Sequence, residues 1–445
     1  MNPHVHSTLV RGRVLHFLSD PGEGSDPASW QYIEDGALLI EGGRIRDCGP
    51  WSRVLAELPQ HTKHSAKLLD YNGKLILPGM VDTHAHYPQM RVMGSYGRQL
   101  LDWLNDYTFP AEASFADPQV AKTTAEFFLD RLLAHGTTTA SVFATVHPHS
   151  VDAFFTAAQR RNLRMLCGKV MMDRNCHEKL RDTADSSAKE CNALIERWHG
   201  KGRLRYSVTP RFAITSSPAQ LQVAGELFAS RPDMHLQSHL SENLAEIEAV
   251  RELFPDSAHY LDVYARFGLL GRGAIYGHGI HLGDAERSQL ADTQTAIAFC
   301  PTSNRFLGSG HFDYRRSAAA GIKVGLASDV GGGTSLSMLR TQAAAYEVGQ
   351  MLQAPLPVMR SWYSATLGGA QALALDEFIG NFAIGKEADF IVLDPQAQPE
   401  LRFRMSFAST LEEQLFALMI LGDERSVQAT HVLGELVPQA AVPGA

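Results

Sequence analysis

Short apolar runs of strand length alternate along most of the chain with longer stretches whose apolar residues recur at helical spacing. The strand-like runs are "LPGMVDTHAH" (77–86), "ASVFATVH" (140–147), "LRMLCGKVMM" (163–172), "LRYSVTPRF" (204–212), "MHLQSHL" (234–240), "AIYGHGIHL" (274–282), "AIAFCPTS" (296–303) and "KVGLASDV" (323–330). Among the helical stretches, "DPQVAKTTAEFFLDRLLAHG" opens with Asp117 as a cap and Pro118 in the first turn, and closes on Gly136. "SPAQLQVAGELFASR" and "NLAEIEAVRELF" show similar spacing. Eight β-then-α units predict an α/β fold, a parallel (β/α)8 TIM barrel with its active site at the C-terminal ends of the strands.

The two ends of the chain have a different texture. "HSTLVRGRVLHFL" and "GALLIEGGRIRDCG" alternate apolar and polar residues, the second around a Gly42-Gly43 hairpin signal. Similar text returns in "AIGKEADFIVLD" and "QATHVLGELV". The expectation is a small β-sandwich domain assembled from residues 1–75 and 381–445, flanking a catalytic barrel of residues 76–380.

Composition narrows the function classes. A chain of 445 residues, 44% hydrophobic and 20% charged, is ordinary for a soluble globular protein of one large and one small domain. A net charge of −8 gives no reason to expect nucleic acid or an anionic membrane as partner. No segment reads as a signal peptide or a membrane span. Five cysteines without a CxxC pair suggest a reducing cytoplasm, and they leave out the deaminase fold that holds zinc through "PCxxC".

The polar residues fall where a barrel would use them. His84 and His86 are two apart on the first strand and face one interior space. His239 ends the fifth strand, His278 sits on the sixth and Asp329 ends the eighth. Three histidines and an aspartate supply nitrogen and oxygen donors suited to one zinc or iron(II) ion with an open position for water. The fourth strand has no lysine to bridge a second metal, and Lys169 on the third is read as a paired charge. His147 and His149 flank Pro148 and are given to a loop or to a supporting role behind the ligands; His4 and His6 are read as solvated. His278 is preferred to His281 because it sits one step deeper, between glycines. Residues 90–116, with Tyr96, Trp103, Tyr107 and Phe109, are too long for a simple turn, and read either as a lid or as a docking hairpin or dimer contact.

At this point the text resembles a family. "PGMVDTHAH", "HLSE", "HG" and "SD", in this order, resemble the amidohydrolase superfamily. "DTHAHYPQ", "LLDWLNDYTFP", "TPRFAIT", "CPTSNRFLGSG" and "ASDVGGGTSLSML" are similar to the guanine deaminases within it, over residues 75 to 395. The resemblance implies hydrolysis of guanine to xanthine and ammonia by a zinc enzyme, commonly a homodimer. It implies His84, His86, His239 and Asp329 as metal ligands, substrate contacts by Gln89, Arg211 and Phe212, and proton transfer by Glu242. His86, His239, Glu242 and Asp329 complete the expected substrate-binding set.

The chemistry supports those assignments. The amino group sits on C2 of an amidine-like unit, so addition of water there must be matched by protonation of a ring nitrogen. Asp329 is placed to take the water's proton, Glu242 to protonate the ring, and His278 to hold the attacking oxygen. Arg211 can donate to the carbonyl, Gln89 offers a donor and an acceptor, and Phe212 can pack on the ring. "GGGTS" after Asp329 reads as a close backbone approach to the base followed by a helix start, since it lacks the lysine of a phosphate loop. The rival substrates are other flat nitrogen heterocycles: a pterin, cytosine or a triazine. A metal-free scaffold would lack ligands that this chain retains.

Overall fold

The computed structural model describes residues 7–96 and 99–438, so His4 and His6 lie outside the described residues. The chain opens with β1 (Ser7–Phe17), β2 (Trp30–Glu41), β3 (Arg44–Pro50) and β4 (Lys67–Pro78). The Gly42-Gly43 signal forms the β2–β3 hairpin: both glycines have positive φ, 58° and 74°, as a two-residue turn matched to strand twist requires.

The barrel strands follow as β5 (Met80–His86), β6 (Thr137–Phe143), β7 (Arg164–Gly168), β8 (Val170–Met171), β9 (Arg205–Pro210), β10 (His235–Leu240), β11 (Ala274–His278), β12 (Ala296–Phe299) and β13 (Val324–Leu326). Their order is β5-β6-β7-β9-β10-β11-β12-β13, all parallel, with β8 also on β9. Hydrogen bonds from Asp329 N to His84 O (2.9 Å) and from His86 N to Val330 O (2.6 Å) join the last strand region to the first. The eight-unit expectation is met, with the third strand split at Lys169. That lysine is fully buried and paired with Asp182 and, at 3.3 Å, with Glu190.

Helix signals were legible too. Asp117 accepts from Gln119 N at the start of Pro118–Ala134, and Ser217 accepts from Gln220 N at the start of Pro218–Ala229. The predicted strands run too far at their C-terminal ends. The run 274–282 stops at His278, 296–303 gives way to a helix at Pro301, and 323–330 stops at Leu326. His278 (φ 73°) and Asp329 (φ 48°) adopt left-handed backbone, which cannot continue a strand.

The chain closes with β14 (Phe390–Leu393), β15 (Val427–Val432) and β16 (Glu435–Leu436). These join the first four strands in one mixed sheet, ordered β16-β15-β14-β4-β1-β2-β3. Val10, Val14, Leu38, Ile40, Ile76, Phe390 and Val392 share its inner core. Ile45 N donates to Lys386 O (2.9 Å) and Gly385 N to Ile45 O (2.8 Å), so the β3 edge meets the segment leading into β14. The sandwich-like packing expected of the chain ends is thus made by one sheet folded over its own core. Arg164 and Arg203, beside the N-terminal ends of β7 and β9, pair with Glu387 and tie the barrel to this sheet.

Candidate active site

The C-terminal ends of the barrel strands frame a cavity lined by His86, Gln89, Arg211, Phe212, His239, Glu242, His278 and Asp329. Every residue expected to bind substrate or act in catalysis is in that wall. His84 lies behind it, fully buried. A Cβ at Gly277 would come within 2.7 Å of the His84 ring, so the glycine beside His278 makes room for this histidine.

The four expected ligands converge. His84 Nε2 lies 3.1 Å from His86 Nε2, which lies 3.2 Å from His239 Nε2. Asp329 Oδ1 is 3.4 Å from His84 Nε2 and 3.3 Å from His86 Nε2. Zinc–nitrogen bonds of about 2.0–2.1 Å correspond to donors about 3.3 Å apart; these four separations are of that size, and the donor atoms group as His84, His86 and His239 and as His84, His278 and Asp329. Charge also fits. Burial lowers the His84 ring, pushes His86 down to about 3 and holds His239 well below its ordinary value, leaving lone pairs for a cation. Burial alone would raise the Asp329 carboxyl, but the His84, His86 and His278 rings beside it hold it well below the usual carboxylate range. His239 Nδ1 is fixed by the Arg211 carbonyl at 2.6 Å, which turns Nε2 inward.

The acid end faces this cluster. Glu242 Oε2 is 3.3 Å from His278 Nε2, which is 3.8 Å from Asp329 Oδ2. Burial, then the Asp329 charge, push the Glu242 carboxyl up to about 8, against a hydrogen bond from Ser309 Oγ. At neutral pH Glu242 is therefore a protonated, buried acid. His278 Nδ1 lies 2.8 Å from Asn304 Oδ1, an arrangement that leaves Nε2 toward Glu242. His281 instead contacts the Ser309 carbonyl at 3.0 Å, whereas His278 lines the cavity. His149 contacts the Phe115 carbonyl at 2.6 Å, well apart from the ligand cluster.

Leu100, Trp103, Leu104, Leu307 and Gly332 complete the cavity wall; Trp103 and Gly332 lie in the segments read as a lid and as a close backbone approach, whereas Leu100, Leu104 and Leu307 were not singled out. The first three belong to the segment after β5, which is helical over Leu100–Trp103, Leu104–Thr108 and Phe109–Ala113 and forms an apolar cover, not a hairpin. Glu112 from that segment is fully buried and accepts from Arg211 Nη1 (2.9 and 2.7 Å) and Gln89 Nε2 (3.2 Å). The only signal for it was position: Glu112 follows Phe109 by three residues, on one helical face. Glu246 accepts from Glu242 N (2.8 Å) and Asn243 N (3.1 Å), holding the turn that aims Glu242.

Comparison with known proteins follows the same direction. The model of the Amidohydrolase family matches residues 75–437. A guanine deaminase of Escherichia coli (strain K12) is 48% identical over 96% of this chain and 97% of its own. A probable guanine deaminase of Deinococcus radiodurans is 41% identical over 96% of this chain and 98% of its own. The solved E. coli guanine deaminase superposes with a TM-score of 0.94, 46% identity, and coverage of 97% of this chain and 99% of that one. The guanine deaminase of C. acetobutylicum, solved with guanine in its active site, gives a TM-score of 0.87 at 29% identity, covering 97% and 100% of the two chains.

Proposed function

Because the chain belongs to the amidohydrolase family, we propose that this cavity hydrolyses guanine to xanthine and ammonia. The observation that carries the reading is a buried carboxyl, Glu242, whose pKa burial raises, facing a His/Asp donor cluster inside a cavity that also holds Arg211 and Gln89. His84, His86, His239 and Asp329 would hold one metal ion per subunit; their nitrogen and oxygen donors suit zinc, or iron(II). When bound, such an ion makes water acidic enough to attack at neutral pH.

The remaining work belongs to the side chains. Asp329, ionised in the folded protein, accepts a proton from the attacking water. Glu242 gives its proton to the ring nitrogen as the bond to C2 forms; the proton held by Asp329 then passes to the amino group, which leaves as ammonia as its bond to C2 breaks, and the proton of the C2 hydroxyl returns to Glu242. His278, between Glu242 and Asp329, orients the attacking oxygen. Arg211 donates to the ring carbonyl, Gln89 pairs with the same edge, and Phe212, 4% exposed, packs on the base. The cover of Leu100, Trp103 and Leu104 excludes water, which strengthens each of these interactions.

A homodimer in the cytoplasm belongs to the same reading. It is supported by the likeness to guanine deaminases, by an apolar surface at Phe403 and Phe407, and by five free cysteines. Among the described residues no helix is long and apolar enough to cross a membrane. The deciding experiment follows absorbance and ammonia release from metal-replete protein given guanine, adenine or guanosine. One ammonia per guanine with xanthine as product, and no turnover of adenine, is expected. Folded, metal-loaded protein that leaves guanine untouched would refute the substrate.

A further inference from the structure

We propose that Glu112 sets the purine specificity of the site, as the positioning residue that fixes which hydrogen-bonding groups Arg211 and Gln89 present to the base. The inference rests on the guanine reading above. Its basis is the buried contact between one short helix and the polar wall of the cavity.

Glu112 sits on the helix Phe109–Ala113, and both of its carboxylate oxygens accept from Arg211 Nη1. Phe109, one turn earlier on the same face, lies with its ring 5.5 Å from the guanidinium carbon. The guanidinium is therefore held from two directions by residues three apart in sequence. With Nη1 committed to Glu112, the rest of a group that can only donate is left for a ligand.

Gln89 is fixed by the same oxygen. An ionised carboxylate only accepts, so the Gln89 amide must turn its NH2 toward Glu112, at 3.2 Å. This orientation follows from chemistry and leaves Oε1 as the acceptor on a residue that lines the cavity. The wall then offers a donor from Arg211 beside an acceptor from Gln89. Its complement is a ring carbonyl next to a ring N–H, the lactam edge that guanine has and adenine lacks. Without the charge at position 112, the amide is free to turn over and offer a donor where the lactam N–H needs an acceptor.

The same segment supplies Leu100, Trp103 and Leu104 to the cavity, so cover and specificity wall are parts of one element. The main-chain carbonyl of Arg211 also accepts from His239 Nδ1, so the arginine borders both the base edge and the donor cluster.

The test compares guanine with 2-aminopurine, which keeps the 2-amino group and lacks both the carbonyl and its neighbouring N–H. Each is followed as a substrate, or as a competitive inhibitor where turnover is too slow. Glu112→Gln in the metal-replete full chain should raise KM for guanine about tenfold or more, with kcat less affected. The preference for guanine over 2-aminopurine should fall by about tenfold or more, because a paired donor and acceptor are lost only for guanine. Glu112→Asp keeps the charge but is too short to reach both partners, and its preference should lie between the two.

An equal loss on both purines, or an unmoved preference, overturns the proposal. Should Glu112→Gln fail to fold by circular dichroism, the preference of Glu112→Asp decides, and a wild-type value there refutes the idea. Absence of guanine turnover by the wild-type protein is a separate result. It strikes the substrate reading, whereas wild-type turnover with an unmoved preference strikes Glu112 alone.

Discussion

In the proposed reaction, Glu242 concentrates the chemistry of this site in one proton. Its carboxyl, pushed up to about 8 first by burial and then by Asp329, is protonated at pH 7, as a general acid must be. Activity should therefore hold through neutral pH and fall about tenfold per unit above pH 8, as the acid form disappears. A kcat/KM profile checks this, and an alkaline limb absent below pH 10 would exclude Glu242 as the acid. Glu242→Gln should lower kcat by about 10²–10⁴-fold with metal content unchanged. The residues clustered at the mouth were legible because barrel position and residue type coincide in them: His84, His86, His239, His278 and Asp329 all stand at strand ends or just beyond. Glu112 was not legible. It acts from a run of short helices with no sustained period, on partners 23 and 99 residues away.

At the scale of elements, the turn after β10 shows how a helix start serves a site. Asn243 caps the helix Leu244–Leu253, accepting from Ala245 N at 2.9 Å, while Glu246 accepts from the amides of Glu242 and Asn243. Ser241 takes a left-handed φ of 48° to make the turn. Glu246→Ala should cost about 1 kcal/mol of stability through the lost cap. It should also lower kcat, because Glu242 is no longer aimed; Glu246→Gln, which retains the capping acceptor, should keep most activity. Equal kcat in both variants would remove Glu246 from the positioning role. Burial raises Glu246 itself from 4.5 to about 7. Between those values the folded protein holds a proton that the unfolded chain has released. This group's contribution to stability thus falls as pH rises through that window, and Glu246→Gln should flatten that part of the melting-temperature profile. The strands were predicted in number and order because apolar runs report burial. Their ends were not, because they are set by left-handed backbone at His278 and Asp329 and by the helix start at Pro301, which apolar patterning does not report.

Across the whole molecule, function and stability are divided between the two ends of the barrel. At the mouth, the donor cluster links metal to folding: removing the ion with a chelator should abolish turnover and lower the melting temperature, and zinc should restore both. Free metal at 100 times its dissociation constant corresponds to about 2.7 kcal/mol. At the opposite end, Arg164 and Glu387, with side chains only 3% and 4% exposed, pair at 2.5 Å, and Arg203 joins Glu387 at 2.8 Å and also pairs with Asp389. Burial alone would raise Glu387, but the two arginines outweigh it and hold the carboxyl below 4.5. Its contribution is therefore present above that value and is lost as pH falls through the depressed one. Glu387→Ala would leave two buried guanidinium groups short of a partner, a loss of about 3–5 kcal/mol. The melting temperature should drop clearly while kcat/KM per folded molecule stays at the wild-type value, because the bottom face of a barrel supports stability and the top face supports chemistry. Loss of kcat/KM in Glu387→Ala under conditions where it remains folded would mean that the small sheet communicates with the mouth, and that the two ends are not separable.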